Sequence, residues 1–92
     1  MKYVDWDLAK NKWLKETRDV SFEDVVAAIE SGKLLTVVDH SNIKRYPNQK
    51  IFIVNIENYA YKVPFVEDDE KIFLKTIYPS RRETKKYIID EK

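Results

Sequence analysis

The sequence predicts an α+β domain in which two N-terminal helices and one C-terminal helix pack on a mainly antiparallel four-stranded sheet. Three observations carry this expectation. Two segments with helix caps and helical apolar spacing fill the first third of the 92 residues. Four runs rich in Val, Ile, Phe and Tyr follow, separated by polar turns. A basic segment behind a Ser cap closes the chain. Helices that precede and follow a block of strands, without alternating with them, belong to α+β architecture rather than to a parallel α/β sheet.

Asp7 is a good N-cap for a first helix over Leu8–Arg18, and Trp6 is expected to fold back on Ala9, Lys10 or Trp13. Ser21 caps the second helix, with Asp24 at N3 and a hydrophobic staple from Val20 to Val25. Phe22, Val25, Val26 and Ile29 then repeat as on a helix lying against a sheet. Gly32, the single glycine, follows the last periodic residue and suits the left-handed stop position.

The strands are expected over Leu34–Asp39, Lys50–Ile56, Tyr59–Val66 and Lys71–Tyr78, with a long polar loop between the first two. A two-residue turn at Glu57-Asn58 pairs Ile56 with Tyr59, and hence Ile53 with Lys62. A turn centred on Asp68 and Asp69 in the acidic stretch Glu67–Glu70 then pairs Lys62 with Lys75. One face of the sheet carries Phe52, Val54 and Ile56, then Tyr59, Tyr61 and Val63, then Leu74, Thr76 and Tyr78, and is expected to take the helices. The other face, partly open, presents Ile53, Lys62 and Lys75. Like charges opposite each other destabilise a ladder, so this pair calls for an anion, an acidic neighbour or open solvent. Pro64 cannot donate to a ladder and points to a bulge, which would shift the register by one and part the two lysines.

After Pro79, Ser80-Arg81-Arg82-Glu83 has the form of a capping box. Helical spacing sets Arg81 above Lys85 and Arg82 above Lys86, leaving Thr84, Tyr87 and Ile88 to face the protein. The result is an Arg/Lys stripe launched from the sheet edge in a chain of net charge +1. Local concentration of charge, not its total, points to a polyanion, and RNA fits best.

Composition narrows the alternatives. Length and 43% hydrophobic content indicate one globular domain spanning residues 1–92. With no Cys and a single His, neither a disulfide framework nor a zinc site is expected, and no metal or cofactor is assigned. No apolar run approaches the roughly 20 residues of a membrane span, and the opening Met-Lys-Tyr-Val-Asp lacks signal-peptide features. A cytoplasmic location without membrane partners is expected. A lone glycine leaves no room for a glycine-rich phosphate loop, and no Ser/His/Asp or Cys/His nucleophile set is present.

The candidate chemistry is therefore cationic. Lys62 and Lys75 with Arg81, Arg82, Lys85 and Lys86 offer a surface for a phosphate backbone, with Tyr78 or Tyr61 placed to stack a base. The polar loop adds Lys44 and Arg45 as further RNA contacts and His40 as an acid/base candidate, because imidazole titrates near neutrality. Tyr87 shares a stripe with Thr84 and Ile88 and reads as a packing residue; Glu67–Glu70 reads as a solvated turn.

The phrases Val4-Asp5-Trp6-Asp7-x-x-Lys10 and Val20-Ser21-Phe22-Glu23-Asp24-Val25 resemble the start of BrnT-type toxins, within the RelE-like ribonuclease toxins of bacterial toxin–antitoxin pairs. The layout is similar over nearly the whole chain, through Lys75-Thr76-Ile77-Tyr78 to a basic helix closing on Lys85-Lys86-Tyr87. Three departures stand out. Tyr78 takes the place of a strand-terminal Arg, Thr17-Arg18-Asp19 that of Lys-His-Gly, and the central hairpin lacks its glycines. The resemblance implies a metal-independent endoribonuclease that inhibits translation, acting on RNA or ribosome-bound mRNA and neutralised by a cognate antitoxin. It assigns phosphate stabilisation to Lys62 and Lys75, a guanidinium clamp to Arg82 or Arg81, and stacking or proton donation to Tyr78. The competing readings are a non-catalytic RNA- or protein-binding module on the same scaffold and a partner that docks by strand addition.

Overall fold

The computed structural model describes residues 2–40, 42 and 44–89; Met1 and, in the polar loop, Ser41 and Ile43 lie outside the described residues. The elements run β1 (Tyr3–Trp6), α1 (Leu8–Arg18), α2 (Phe22–Glu30), β2 (Leu34–Asp39), β3 (Gln49–Ile56), β4 (Tyr59–Glu67), β5 (Lys71–Leu74), β6 (Tyr78–Pro79) and α3 (Arg81–Thr84). A π-helical turn over Lys85–Ile89 continues α3. The sheet has the order β1-β5-β4-β3-β2, with β6 paired to β4 past the end of β5. The α+β class holds, but the sheet has six strands rather than four and is mixed.

The unexpected strand is β1, which runs parallel to β5 and pairs Val4 with Ile72 and Trp6 with Leu74. Four residues carry too little periodicity to announce a strand beside a strong helix cap. Its pairing also places Trp6 in the sheet, where its ring stacks on Phe22 of α2 at 5.6 Å.

Both N-terminal helices begin where their caps dictate. Asp7 accepts from the N–H groups of Ala9 and Lys10 at 2.8 and 3.2 Å. Ser21 and Asp24 form the reciprocal capping box. Gly32, at φ +79°, takes the left-handed position after α2. The helices are bolted together by the buried Asn11, whose Oδ1 accepts the Phe22 N–H at 2.8 Å while Nδ2 donates to Glu23 at 2.8 Å. Leu14, Val20, Phe22 and Val25 then form one core with Val54, Val63, Phe65, Leu74 and Ile77 of the sheet.

The β3–β4 hairpin has the expected register, Ile56 opposite Tyr59 and Ile53 opposite Lys62. Glu57 and Asn58 both take positive φ, 53° and 66°, the signs a type I′ turn requires. The next hairpin differs from expectation. Asp68 caps a wider turn by accepting the N–H groups of Glu70 and Lys71, both at 2.8 Å, so Phe65 lies opposite Leu74 and not Ile72.

Two further corrections concern the end of the chain. The single strand expected over Lys71–Tyr78 is broken into β5 and β6. Between them the register slips by one, since Phe65 pairs with Leu74 but Lys62 with Tyr78, so Tyr78 shares the face of Lys62 and not the helix-bearing face expected for it. The slip occurs opposite Pro64, whose carbonyl accepts the Lys75 N–H at 2.8 Å; this is the bulge that Pro64 foreshadowed. In addition, α3 does not join α1 and α2. Tyr87 and Ile88 pack with Ile51, Ile53, Ala60 and Leu35 on the opposite face, which is therefore partly covered by a helix of its own.

Candidate nucleic-acid interface

The site is built around the outer edge of β4, where β5 has ended. Across the short β4–β6 ladder Lys62 lies opposite Tyr78, with its ammonium 5.9 Å from the centre of the phenol ring. The chain then leaves Pro79 and enters α3. Ala60 of β4 has an N–H and a carbonyl on this open edge, and the first turn of α3 satisfies both. The Ser80 N–H donates to the Ala60 carbonyl at 3.0 Å. The Ala60 N–H donates to Thr84 Oγ1 at 2.8 Å, and the same hydroxyl donates to the Ser80 carbonyl at 2.8 Å. A helix turn thus substitutes for a neighbouring strand, which fixes where Arg81 and Arg82 emerge.

Ser80 performs only half of the predicted capping box. Its hydroxyl accepts the Glu83 N–H at 3.2 Å. Its own N–H is committed to Ala60, so Glu83 has no free donor to reach back to.

Arg81, Arg82, Lys85 and Lys86 are all exposed, and Thr84 is buried. Lys86 lies over the Tyr87 ring at 5.2 Å. Among the described residues the ion pairs are Lys2–Glu67, Lys15–Glu23 and Lys71–Asp5. None of them involves Lys62, Lys75 or the α3 cations, and Lys62 lies beside the phenol of Tyr78.

The direct Lys62–Lys75 opposition does not occur. The wider turn capped by Asp68 sets Lys75 opposite Pro64, two positions from Lys62, or about 7 Å along β4. Lys75 is exposed, with its ammonium 5.9 Å from the Phe73 ring. The lysines thus remain on one stretch of strand edge, but their mutual repulsion no longer calls for a bridging anion.

Three predicted contributors stand elsewhere. His40, Lys44 and Arg45 belong to the loop beyond the Gln49–Val66 pair, four positions, or about 13 Å, along β4 from Lys62. There the Asn42 N–H donates to His40 Nδ1 at 3.0 Å, His40 and Tyr46 rings meet at 4.5 Å, and Arg45 lies over Tyr46 at 5.5 Å. The loop is a self-contained cluster. Tyr61 is also removed from the basic surface, because it packs against the helix-side core.

Tyr61 instead lines a cleft of 390 Å³ with Asp19, Asp24, Lys33 and Glu57. Burial, followed by the neighbouring Glu57 charge, raises its phenol above the usual range. This cleft is mainly acidic and unsuited to a polyanion. Among the described residues no group of three or more His, Cys, Asp or Glu side chains is gathered to hold a metal ion, and no helix is long and apolar enough to cross a membrane.

One long-range contact near the site escaped sequence reasoning. Arg18, at the end of α1, sends Nη1 to the carbonyl of Ile77, the residue before Tyr78. The partners are 59 positions apart, so no local pattern announces the contact. Thr84 was legible as inward-facing, but its link to Ala60 depends on where α3 docks.

Comparison with known proteins adds no relative: no family model, curated protein or solved structure matches this chain.

Proposed function

We propose that this protein binds RNA on the edge formed by Lys62, Tyr78 and the first turn of α3, and cleaves it as a metal-independent endoribonuclease. The observation that carries the reading is the alignment of Lys62 with Tyr78 beside Arg81 and Arg82, without a carboxylate partner for these cations among the described residues. The cations suit a phosphodiester and the phenol suits a base or a leaving oxygen. The resemblance to BrnT-type, RelE-like toxins supports the same assignment, and with it a role as the toxin of a type II toxin–antitoxin pair.

In the reaction a ribose 2′-hydroxyl gives up its proton to water and attacks the adjacent phosphorus. The bond from phosphorus to the 5′ oxygen breaks, leaving a cyclic phosphate and a 5′-hydroxyl that gains a proton. Lys62 and Arg82 offset the charge that develops on the phosphoryl oxygens, while Arg81, Lys75, Lys85 and Lys86 hold the flanking backbone. Tyr78 stacks the base or supplies the leaving group's proton. His40, Lys44 and Arg45 fall outside this reaction centre. A cognate antitoxin would neutralise the protein by covering the basic edge and the Trp-bearing α1.

The test is end-labelled RNA incubated in EDTA with the wild type, Lys62→Gln and Arg82→Gln. Discrete fragments from the wild type, absent with both variants, are expected. If free RNA stays whole, translating extract is assayed next, and silence there as well removes the ribonuclease reading. The register shift that separates Lys75 from Lys62 favours a second reading, an RNA-binding module without turnover. It predicts salt-dependent affinity in the absence of any cleavage.

A further inference from the structure

Trp13 stands 42% exposed on α1. Lys10 Nζ lies 4.4 Å and the Arg18 guanidinium carbon 5.0 Å from its ring. Lys10 is almost one helical turn before Trp13 and Arg18 more than a turn after it, so the two cations approach the indole from opposite directions along the helix. No carboxylate lies within ion-pair distance of either cation among the described residues.

Arg18 is held from two sides, by the indole beneath it and by the Ile77 carbonyl that Nη1 donates to. That contact uses one of five guanidinium N–H donors and leaves a pre-organised fork, the geometry suited to a phosphate. Its location gives this fork a purpose. Ile77 is buried in the helix-side core, whereas the next residue, Tyr78, pairs with Lys62 on the α3 side. Arg18 is therefore tied to the residue that leads directly into Tyr78 of the proposed RNA edge.

We propose that Lys10, Trp13 and Arg18 form a second subsite for single-stranded RNA, in which Arg18 binds a phosphate of a strand that passes Tyr78 and turns over the β6 rim. Lys10 adds charge, and Trp13 holds the guanidinium and meets the neighbouring base with its exposed surface. The inference rests on the RNA reading above and extends it from one phosphodiester to a strand several nucleotides long.

The experiment measures binding of a uridine dinucleotide and a uridine dodecanucleotide at several salt concentrations, with the wild type, Arg18→Gln and Lys62→Gln. Arg18→Gln is expected to weaken the dodecanucleotide roughly tenfold and to reduce its salt slope by about 0.7, the value of one phosphate contact on a single strand. The dinucleotide should be unaffected by Arg18→Gln and weakened by Lys62→Gln. If Lys62→Gln weakens both oligonucleotides and Arg18→Gln neither, the second subsite is overturned while RNA binding stands. If the wild type binds neither, both readings fall, and an acidic partner segment becomes the better match for the cations. A fluorescence measurement does not depend on the Arg18 variant folding. In a Trp6→Phe background, Trp13 emission should be quenched by the dodecanucleotide and not by the dinucleotide. Unchanged emission at saturating dodecanucleotide overturns the proposal.

Discussion

Replacing Thr84 with Val tests the joint that places the basic helix on the sheet. The two side chains have nearly the same shape, so the substitution removes a hydroxyl and adds a methyl without opening a large cavity. In the native structure Thr84 is 4% exposed and its hydroxyl accepts the Ala60 N–H at 2.8 Å. That amide faces away from β3, and the Val side chain offers it no acceptor. The Ser80 carbonyl is less affected, because it keeps the Thr84 backbone N–H at 3.0 Å. The expected cost is therefore that of one orphaned buried donor, about 1–3 kcal/mol. Against the roughly 5–15 kcal/mol that holds a domain of this size together, this loss should lower the melting temperature by on the order of 10 °C. Urea unfolding gives the energy, and amide exchange reports the joint itself. Ala60 should lose protection in Thr84→Val and retain it in Thr84→Ser, which keeps the hydroxyl. A Thr84→Val protein within about 0.5 kcal/mol of the wild type, with the Ala60 amide still protected, would refute the claim that this hydroxyl anchors α3.

Other perturbations probe the remaining joints. Asn11→Leu should destabilise by about 2–4 kcal/mol, since it orphans the buried Phe22 N–H and releases Glu23; urea unfolding measures it. Glu57→Gly should stabilise by about 0.5–1 kcal/mol, because a non-glycine residue at φ 53° carries left-handed strain that glycine lacks; the thermal midpoint checks the sign. Acid should weaken the fold through two carboxyls held below their usual range, Glu23 by the Asn11 amide and Asp68 by the Lys71 and Glu70 N–H groups. Both bind protons less readily folded than unfolded, so their contribution is complete above the ordinary values of 4.5 and 3.8 and is lost as pH falls through the lower folded values. Asp68→Asn should flatten the fall of the urea midpoint over that acidic range.

Features set by neighbours in the chain were legible from the residues alone. Asp7, Ser21 and Gly32 mark helix boundaries because a cap satisfies donors or acceptors within a few residues. The β3–β4 register followed from the length of one turn and the two-residue period of side chains. Even the bulge was foreshadowed, since proline's missing N–H is a property of the residue and not of its surroundings.

Features that depend on distant partners were decided by the tertiary structure. Four residues become β1 only because β5 offers a free edge. The turn capped by Asp68 moves the β5 register by two residues, and the slip at Pro64 then pairs Lys62 with Tyr78 in place of Lys75. The expectation that α3 shares a face with α1 and α2 failed, because Thr84, Tyr87 and Ile88 make an inward stripe that suits either side of the sheet. Ala60 settles it by presenting its open-edge amide and carbonyl to the first turn of that helix. The sequence by itself thus determined the two N-terminal helices, the β3–β4 hairpin and that a basic stripe ends the chain, for these follow from caps, periodicity and charge. Only the tertiary structure decided which cations share a surface, because hydrogen bonds such as Arg18 to Ile77 link residues that no local pattern connects.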